Sequence, residues 1–246
     1  MKRQTPGKDW KSLIEAALLR RDDDARVLKQ DRSRQRSAEI LAAAIRVFAR
    51  DGIVRARIND IAAEAGVPPA SIYDYFPGKE ELAYAVPIQQ QTEFYAEFLR
   101  RAAELGSSRE RLVKFLHLTT DFARRHPDWA RVLYLEVWPS VLIKETRVRH
   151  VLDDYGRIIV SFIREGARRG EWPRQPDPYQ TATIFIGAIN QLIITWLLYR
   201  TPSDLAGASR PLIERLLLFL DGASQKSPAA RRKPAGPYTR GRRRRR

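Results

Sequence analysis

Residues 36–82 read RSAEILAAAIRVFARDGIVRARINDIAAEAGVPPASIYDYFPGKEEL. Ile40, Ala44 and Phe48 recur every fourth residue, with Leu41 and Ile45 beside them, so an amphipathic helix is predicted over about 37–50. Asp51-Gly52 supplies a stop, because glycine accepts the left-handed backbone of a helix end. A short helix over about 58–65 buries Ile58, Ile61, Ala62 and Ala65 and ends at Gly66. A third, about 69–76, follows at once. Its entrance is Pro68-Pro69, and a proline at the first helical position presets the backbone angles. Three short helices with a tight turn between the second and third describe a helix-turn-helix, whose last helix enters the major groove of DNA.

The pattern outward from this stretch is helical, with no run of alternating strand residues. A longer helix starts near Lys79 and passes Pro87, where a kink is expected. Ser107 with Glu110 has the spacing of a capping box for a helix ending near Arg125. Trp129, Tyr134 and Trp138 fall in a short aromatic helix, and a long helix covers about 141–169. Asp177-Pro178 opens another that reaches Tyr199, and the last spans about 203–221. Residues 178–199 carry no charge, yet Thr181, Thr183, Asn190, Gln191 and Thr195 interrupt them. They read as a core or subunit-interface helix, not a membrane span. Near the N-terminus, Leu13, Ile14, Ala17 and Leu18 share one face of a short helix over about 10–19, and residues 20–36 read as a mobile arm.

The 246 residues carry a formal charge of +16 and contain no cysteine. Disulfides, thiolate metal sites and cysteine nucleophiles are therefore excluded, and the composition suits the cytoplasm. The charge sits at the ends. Residues 1–36 hold 11 basic and 6 acidic residues, and residues 226–246 hold 10 basic and none acidic. That leaves only +1 of the +16 between them. Such ends attract polyanions without reading sequence. His117, His126 and His150 belong to no catalytic or metal motif, so neither an enzyme nor a cofactor is expected.

The stretch resembles the N-terminal domain of TetR-family transcriptional repressors, through ILAAAIRVFARDG, INDIAAEAGV and SIYDYFPGKEEL at matching spacing. The resemblance implies an all-α fold: a three-helix DNA-binding domain joined to a larger helical domain that binds a ligand and dimerises. The expected layout is a basic extension over 1–33, the DNA-binding domain over 34–94, the ligand and dimer domain over 95–224 and a disordered Arg-rich tail over 225–246.

Each residue of the reading unit also has a physical role. Pro69, Ala70 and Ser71 are small or rigid and let the backbone approach DNA closely. Tyr73 and Tyr75 can donate to phosphates, although Tyr73 could equally pack under the next helix. Lys79 can neutralise a phosphate, and Arg57 and Asn59 at the second helix complete the DNA-contact candidates. Arg57 stands near the position where the family usually has a capping Thr; it cannot cap in that way but can meet phosphate by charge. Asp74 repels phosphate, so it either accepts from a cytosine amino group or pairs with an arginine. Arg32, Arg34 and Arg36 could follow the backbone or enter the minor groove.

In the second half, Phe115, Phe122, Trp129, Tyr134, Trp138, Phe162, Phe185 and Trp196 are candidate lining for an apolar pocket, or simply core. FARRHPDWARVLYLEV and IFIGAINQLIITWLLYRTPSDL resemble TetR-type regulators of fatty-acid metabolism. That likeness implies a small lipophilic effector such as a long-chain acyl-CoA that weakens DNA binding. An efflux-type regulator sensing aromatic or lipophilic compounds stays open, as does a non-specific nucleic-acid binder. Gly187, Ala188 and the Leu-rich face at 212–220 are the candidate homodimer interface, and a two-fold dimer implies a palindromic operator on double-stranded DNA.

Overall fold

A computed structural model describes residues 9–25, 31–140, 146–172 and 176–222. The described residues are helical, without strands, as the sequence predicts. The order is α1 (Trp10–Ala25), α2 (Asp31–Asp51), α3 (Ile58–Ala65), α4 (Pro69–Tyr73), α5 (Lys79–Ala102), α6 (Ser108–Arg125) and α7 (Pro127–Arg131). A π-helical turn, Val132–Val137, continues α7. Then come α8 (Thr146–Arg168), α9 (Pro178–Tyr199) and α10 (Leu205–Asp221). The Arg-rich tail lies outside the described residues.

The helix ends follow local chemistry. Gly52 and Gly66 stop α2 and α3 with φ of 79° and 66°, angles that L side chains adopt only at a cost. Ser107 and Glu110 form the full capping box of α6. The Asp177 carboxylate accepts the amides of Tyr179 and Gln180, both at 2.9 Å, ahead of Pro178 at the start of α9. Helix α5 runs through a buried Pro87.

Two hydrophobic cores organise the chain. The smaller holds Ile40, Ala44, Phe48, Ile61, Ile72, Leu82 and Val86, and binds α2, α3, α4 and the start of α5 into one unit. Ile72 is fully buried and Val67 and Phe76 pack on that core. The larger is built by α5, α6, α8, α9 and α10 around Phe98, Phe115, Phe122, Phe162 and Phe185.

The N-terminal region departs from expectation. Residues 20–25 continue α1 and residues 31–36 begin α2, so the predicted mobile arm is largely helix. Nor is α1 a separate extension. Ile14 is fully buried in the larger core, with Trp10, Leu13, Ala17 and Leu18 against it. The dense charge of this region conceals a short apolar face that finds cover on α5 and α8.

Helix α9 has the length and mean hydropathy, 1.7, of a membrane span. Phe185, Ile189, Ile193 and Trp196 are buried against protein, which accounts for the apolar composition of this face. Its other face keeps Ile184, Leu198 and Tyr199 exposed, and Leu218 and Phe219 are exposed on α10. The Leu-rich stretch at 212–220, expected as a subunit interface, is divided between core and surface. Ile213, Leu216, Leu217 and Leu220 are spent on the chain's own core, and only Leu218 and Phe219 remain outward.

Candidate DNA-reading face and aromatic core

The entrance to α4 carries no side-chain cap. Pro68 holds φ −60° and ψ 143° at the N-cap position and Pro69 begins the helix. The backbone closes without help: the Ser71 amide donates to the Pro68 carbonyl at 3.0 Å, and the Phe76 amide to Ile72 at 2.9 Å. With Ile72 as the buried anchor, Pro69, Ala70, Tyr73 and Asp74 face outward and Ser71 and Tyr75 are half-buried. Tyr73 is 56% exposed, so it does not pack under α5. Tyr75 does rest on the smaller core.

At α3, Arg57 is the N-cap residue and makes no capping bond, and Asn59 lies exposed one residue into the helix. Among the described residues, the side chains of Arg57, Asn59, Tyr73 and Asp74 have no hydrogen-bond or ion-pair partner. They form one exposed set of donors and acceptors that the fold itself does not consume. The suggestion that Asp74 pairs with an arginine therefore finds no support among the described residues. Arg34 and Arg36 sit on α2, and Arg36 is engaged with Glu39 at 3.0 Å.

Lys79 does something that its position alone does not announce. Its ammonium donates to the carbonyls of Val54 and Ala56 at 2.9 and 3.1 Å. An ammonium has three donors, so one remains. Lys79 thereby ties the start of α5 to the turn leading into α3.

The aromatic candidates separate into groups. Phe115, Phe122, Phe162 and Phe185 are fully buried. The rings of Phe115, Phe122 and Phe162 join Phe94 and Phe98 in one cluster, with Phe98–Phe115 at 5.0 Å, Phe94–Phe115 at 5.2 Å and Phe94–Phe122 at 5.6 Å. Trp129 continues the row at 5.3 Å from Phe122, edge to face. Tyr134 and Trp196 are buried in the same core. Trp138 is half-buried and belongs to neither core, which sets it apart from the other candidates.

Several polar groups are built into this apolar interior. The Tyr155 hydroxyl lies 3.0 Å from Thr119 Oγ1, and burial pushes its phenol up to about 12 against the opposing pull of that bond. Burial pushes the Tyr134 phenol up further. Both therefore stay neutral at physiological pH. Gln91 donates to the Tyr95 hydroxyl at 2.9 Å and to the Val151 carbonyl at 2.7 Å. The Trp129 indole N–H is buried without an acceptor, an unusual state for a polar atom. Sequence periodicity finds the rings but misses Gln91, Thr119 and Tyr155, because single polar residues on a helix carry no spacing signal.

A separate open groove of about 480 Å³ lies between α6 and α10, lined by Val113, Lys114, His117, Ser209 and Arg210 among others. None of the eight aromatic candidates lines it. Burial and the nearby Arg210 and Lys114 charges hold His117 below the usual histidine range. Among the described residues no group of three or more His, Cys, Asp or Glu is placed to hold a metal ion.

The two cores meet at the π-helical turn, as they also do along α5 and at Val148 of α8. Val132 and Val137 of the π-helical turn are buried in the smaller core, whereas Leu133 and Tyr134 are buried in the larger. Trp129 packs on both. The Glu136 carboxylate reaches the turn after α2, and any Cβ at Gly52 would come within 3.4 Å of it. The reading unit and the aromatic core are thus joined by α5 and, independently, by this turn.

Comparison with known proteins agrees with both halves. Residues 40–86 match the family model described as bacterial regulatory proteins, tetR family, and residues 89–219 match that of the YsiA-like protein, C-terminal region. The fatty acid metabolism regulator protein of Bacillus subtilis (strain 168) is 24% identical over 184 residues, 75% of this chain and 95% of that protein. The HTH-type transcriptional regulator TtgR of Pseudomonas putida is 29% identical over 187 residues, 72% of this chain and 88% of that one. Among solved structures, FadR from Bacillus subtilis in complex with stearoyl-CoA superposes with a TM-score of 0.69 at 24% identity, covering 76% of this chain and 99% of that one. An exposed, unpartnered face on a proline-initiated α4, a helical second domain and these matches along most of the chain agree on one conclusion: the chain belongs to the TetR family of bacterial regulatory proteins.

Proposed function

We propose that the protein is a ligand-released transcriptional repressor that binds a palindromic operator as a homodimer and is released by a long-chain acyl-CoA. Its place of action is the cytoplasm. The observation that carries the DNA half is the exposed set Arg57, Asn59, Tyr73 and Asp74 on adjoining helices, none of them engaged within the described fold. Arg57 and Tyr73 serve phosphate, Asp74 accepts from a cytosine amino group, and the half-buried Tyr75 and the remaining Lys79 donor support the far end. Dimerisation uses the exposed faces of α9 and α10, where Ile184, Leu198, Leu218 and Phe219 stand uncovered.

The effector half rests on the second domain. Its resemblance runs to a protein named for fatty acid metabolism, and one neighbour of the same fold holds stearoyl-CoA. The ring-lined interior, with neutral Tyr134 and Tyr155 phenols, suits an apolar chain ending in polar groups. An aromatic lipophile is the second reading, favoured by the edge-to-face packing of Phe94, Phe98, Phe115 and Phe122. A ligand shifts the DNA affinity only as far as it prefers one arrangement of the two reading units over the other.

Selection of genomic fragments by the purified protein tests the DNA half; a single palindrome should be enriched. Fluorescence anisotropy on that palindrome then tests the effector. Acyl-CoAs should release it at micromolar concentration, and release by aromatic compounds alone would favour the second reading. No enriched sequence would leave only charge-driven binding by the basic ends.

A further inference from the structure

We propose that Trp10 and Ile14 of α1 form the end wall of the effector chamber and so set the length of apolar chain that it admits. This rests on the acyl-CoA reading above and extends it to residues outside the two matched family regions. The family models begin at residue 40, and a solved neighbour is covered over 99% of its length by only 76% of this chain. Both matched family regions, 40–86 and 89–219, lie outside α1.

Nevertheless α1 is packed as core. Ile14 is fully buried. The Trp10 indole meets Phe98 of α5 edge-on at 5.8 Å and Phe162 of α8 at 5.9 Å. The Arg111 guanidinium covers the indole at 5.4 Å. Arg111 is itself fixed, by the Glu165 carboxylate at 3.3 Å and the Leu105 carbonyl at 3.0 Å. The indole is held from several sides and is not a loosely resting cover.

Its position along the ring row gives it a role. From Trp129 the row passes through Phe122, Phe94 and Phe115 to Phe98, and Trp10 follows Phe98. A chain that enters the larger core by displacing these rings runs along the row and stops at Trp10. In a body lacking α1, Phe98 and Phe162 would lose this cover. A wall that meets the end of a chain discriminates by roughly tenfold or more for each methylene too many.

Calorimetric titration of the full chain with saturated acyl-CoAs of increasing length reads this directly and needs no operator. The intact protein should show a length beyond which affinity drops. In Trp10→Ala and Ile14→Ala that limit should move to longer members of the series, with roughly a tenfold gain for the longest relative to the shortest. Trp10→Phe, which keeps a ring in place, should stay close to the parent and guards against loss of folding in the alanine variants; circular dichroism and melting report the fold of each. An unchanged length preference would overturn the proposal. So would uniform weakening across the series, which marks α1 as a support of the fold and not a wall. Absence of binding at every length in every folded variant is a different result: it removes the acyl-CoA reading, and the wall with it.

Discussion

The carboxylate of Glu136 accepts a hydrogen bond from the Ile53 amide at 3.2 Å, across 83 residues of chain. Glu136 belongs to the π-helical turn that shares both cores, and Ile53 follows the helix stop of α2. Removing the acceptor leaves a part-buried amide unpaired, which costs about 1–2 kcal/mol. Glu136→Ala should therefore lower stability by that amount in denaturant unfolding. It should also reduce the effector's influence on operator affinity, read as a smaller ratio of affinities with and without effector. Glu136→Gln keeps an acceptor oxygen and should fall between.

Lys79 binds two carbonyls and has one donor to spare. Lys79→Met should lower the melting temperature, because Val54 and Ala56 lose their partner. It should also weaken binding to all DNA sequences alike and flatten the plot of log affinity against log salt by about one unit. A lower melting temperature with an unaltered slope would assign Lys79 wholly to the fold.

Asp74 stands exposed on α4 without a partner among the described residues. Asp74→Ala removes a charge that repels phosphate, so affinity for random DNA should rise. Discrimination at one cytosine of the operator should fall by about 1–3 kcal/mol, the usual value of a good base contact. Competition binding against operators substituted one base at a time measures both effects.

Arg109 of α6 grips Asp221, the last residue of α10, with Nη2 2.8 Å from Oδ2. The bond from Arg109 is the main cause holding the Asp221 carboxyl below its ordinary value. A carboxylate depressed in the folded state adds stability above its unfolded value near pH 3.8, and loses it as pH falls through the lower folded value. Both side chains are about a third exposed, so solvent screens the pair and it contributes only about 0.5 kcal/mol. Asp221→Asn should thus be slightly less stable at pH 7, and the difference should vanish once the pH is well below 3.8. Unfolding curves at the two pH values check it.

The reading unit is legible in the sequence because each of its parts is local. Gly52, Gly66 and Pro69 mark ends within a few residues, and the structure keeps them there. The aromatic residues can be found but not placed, since periodicity assigns a face and not a neighbour; Trp138 shows the difference from Phe115. Helix α1 is easy to underestimate because Trp10 and Ile14 sit in a charge-rich region, and their partners Phe98 and Phe162 lie far along the chain. The π-helical turn leaves no trace, because one wide turn does not disturb composition. In the sequence Lys79 is a charge, whereas its hydrogen bonds run to backbone oxygens that no side-chain pattern displays.

The wide turn at Val132–Val137 also constrains how this chain can change its length. The Trp138 amide donates to the Leu133 carbonyl at 2.9 Å, five residues back, so the helix carries one residue more than an α-helical ladder would hold. That surplus lets Val132 and Val137 face one core while Leu133 and Tyr134 face the other. Deleting a single residue here would close the ladder to the ordinary form and abolish the split that gives Val132 and Val137 to one core and Leu133 and Tyr134 to the other. Insertions and deletions that surface loops absorb readily are therefore barred from these six positions.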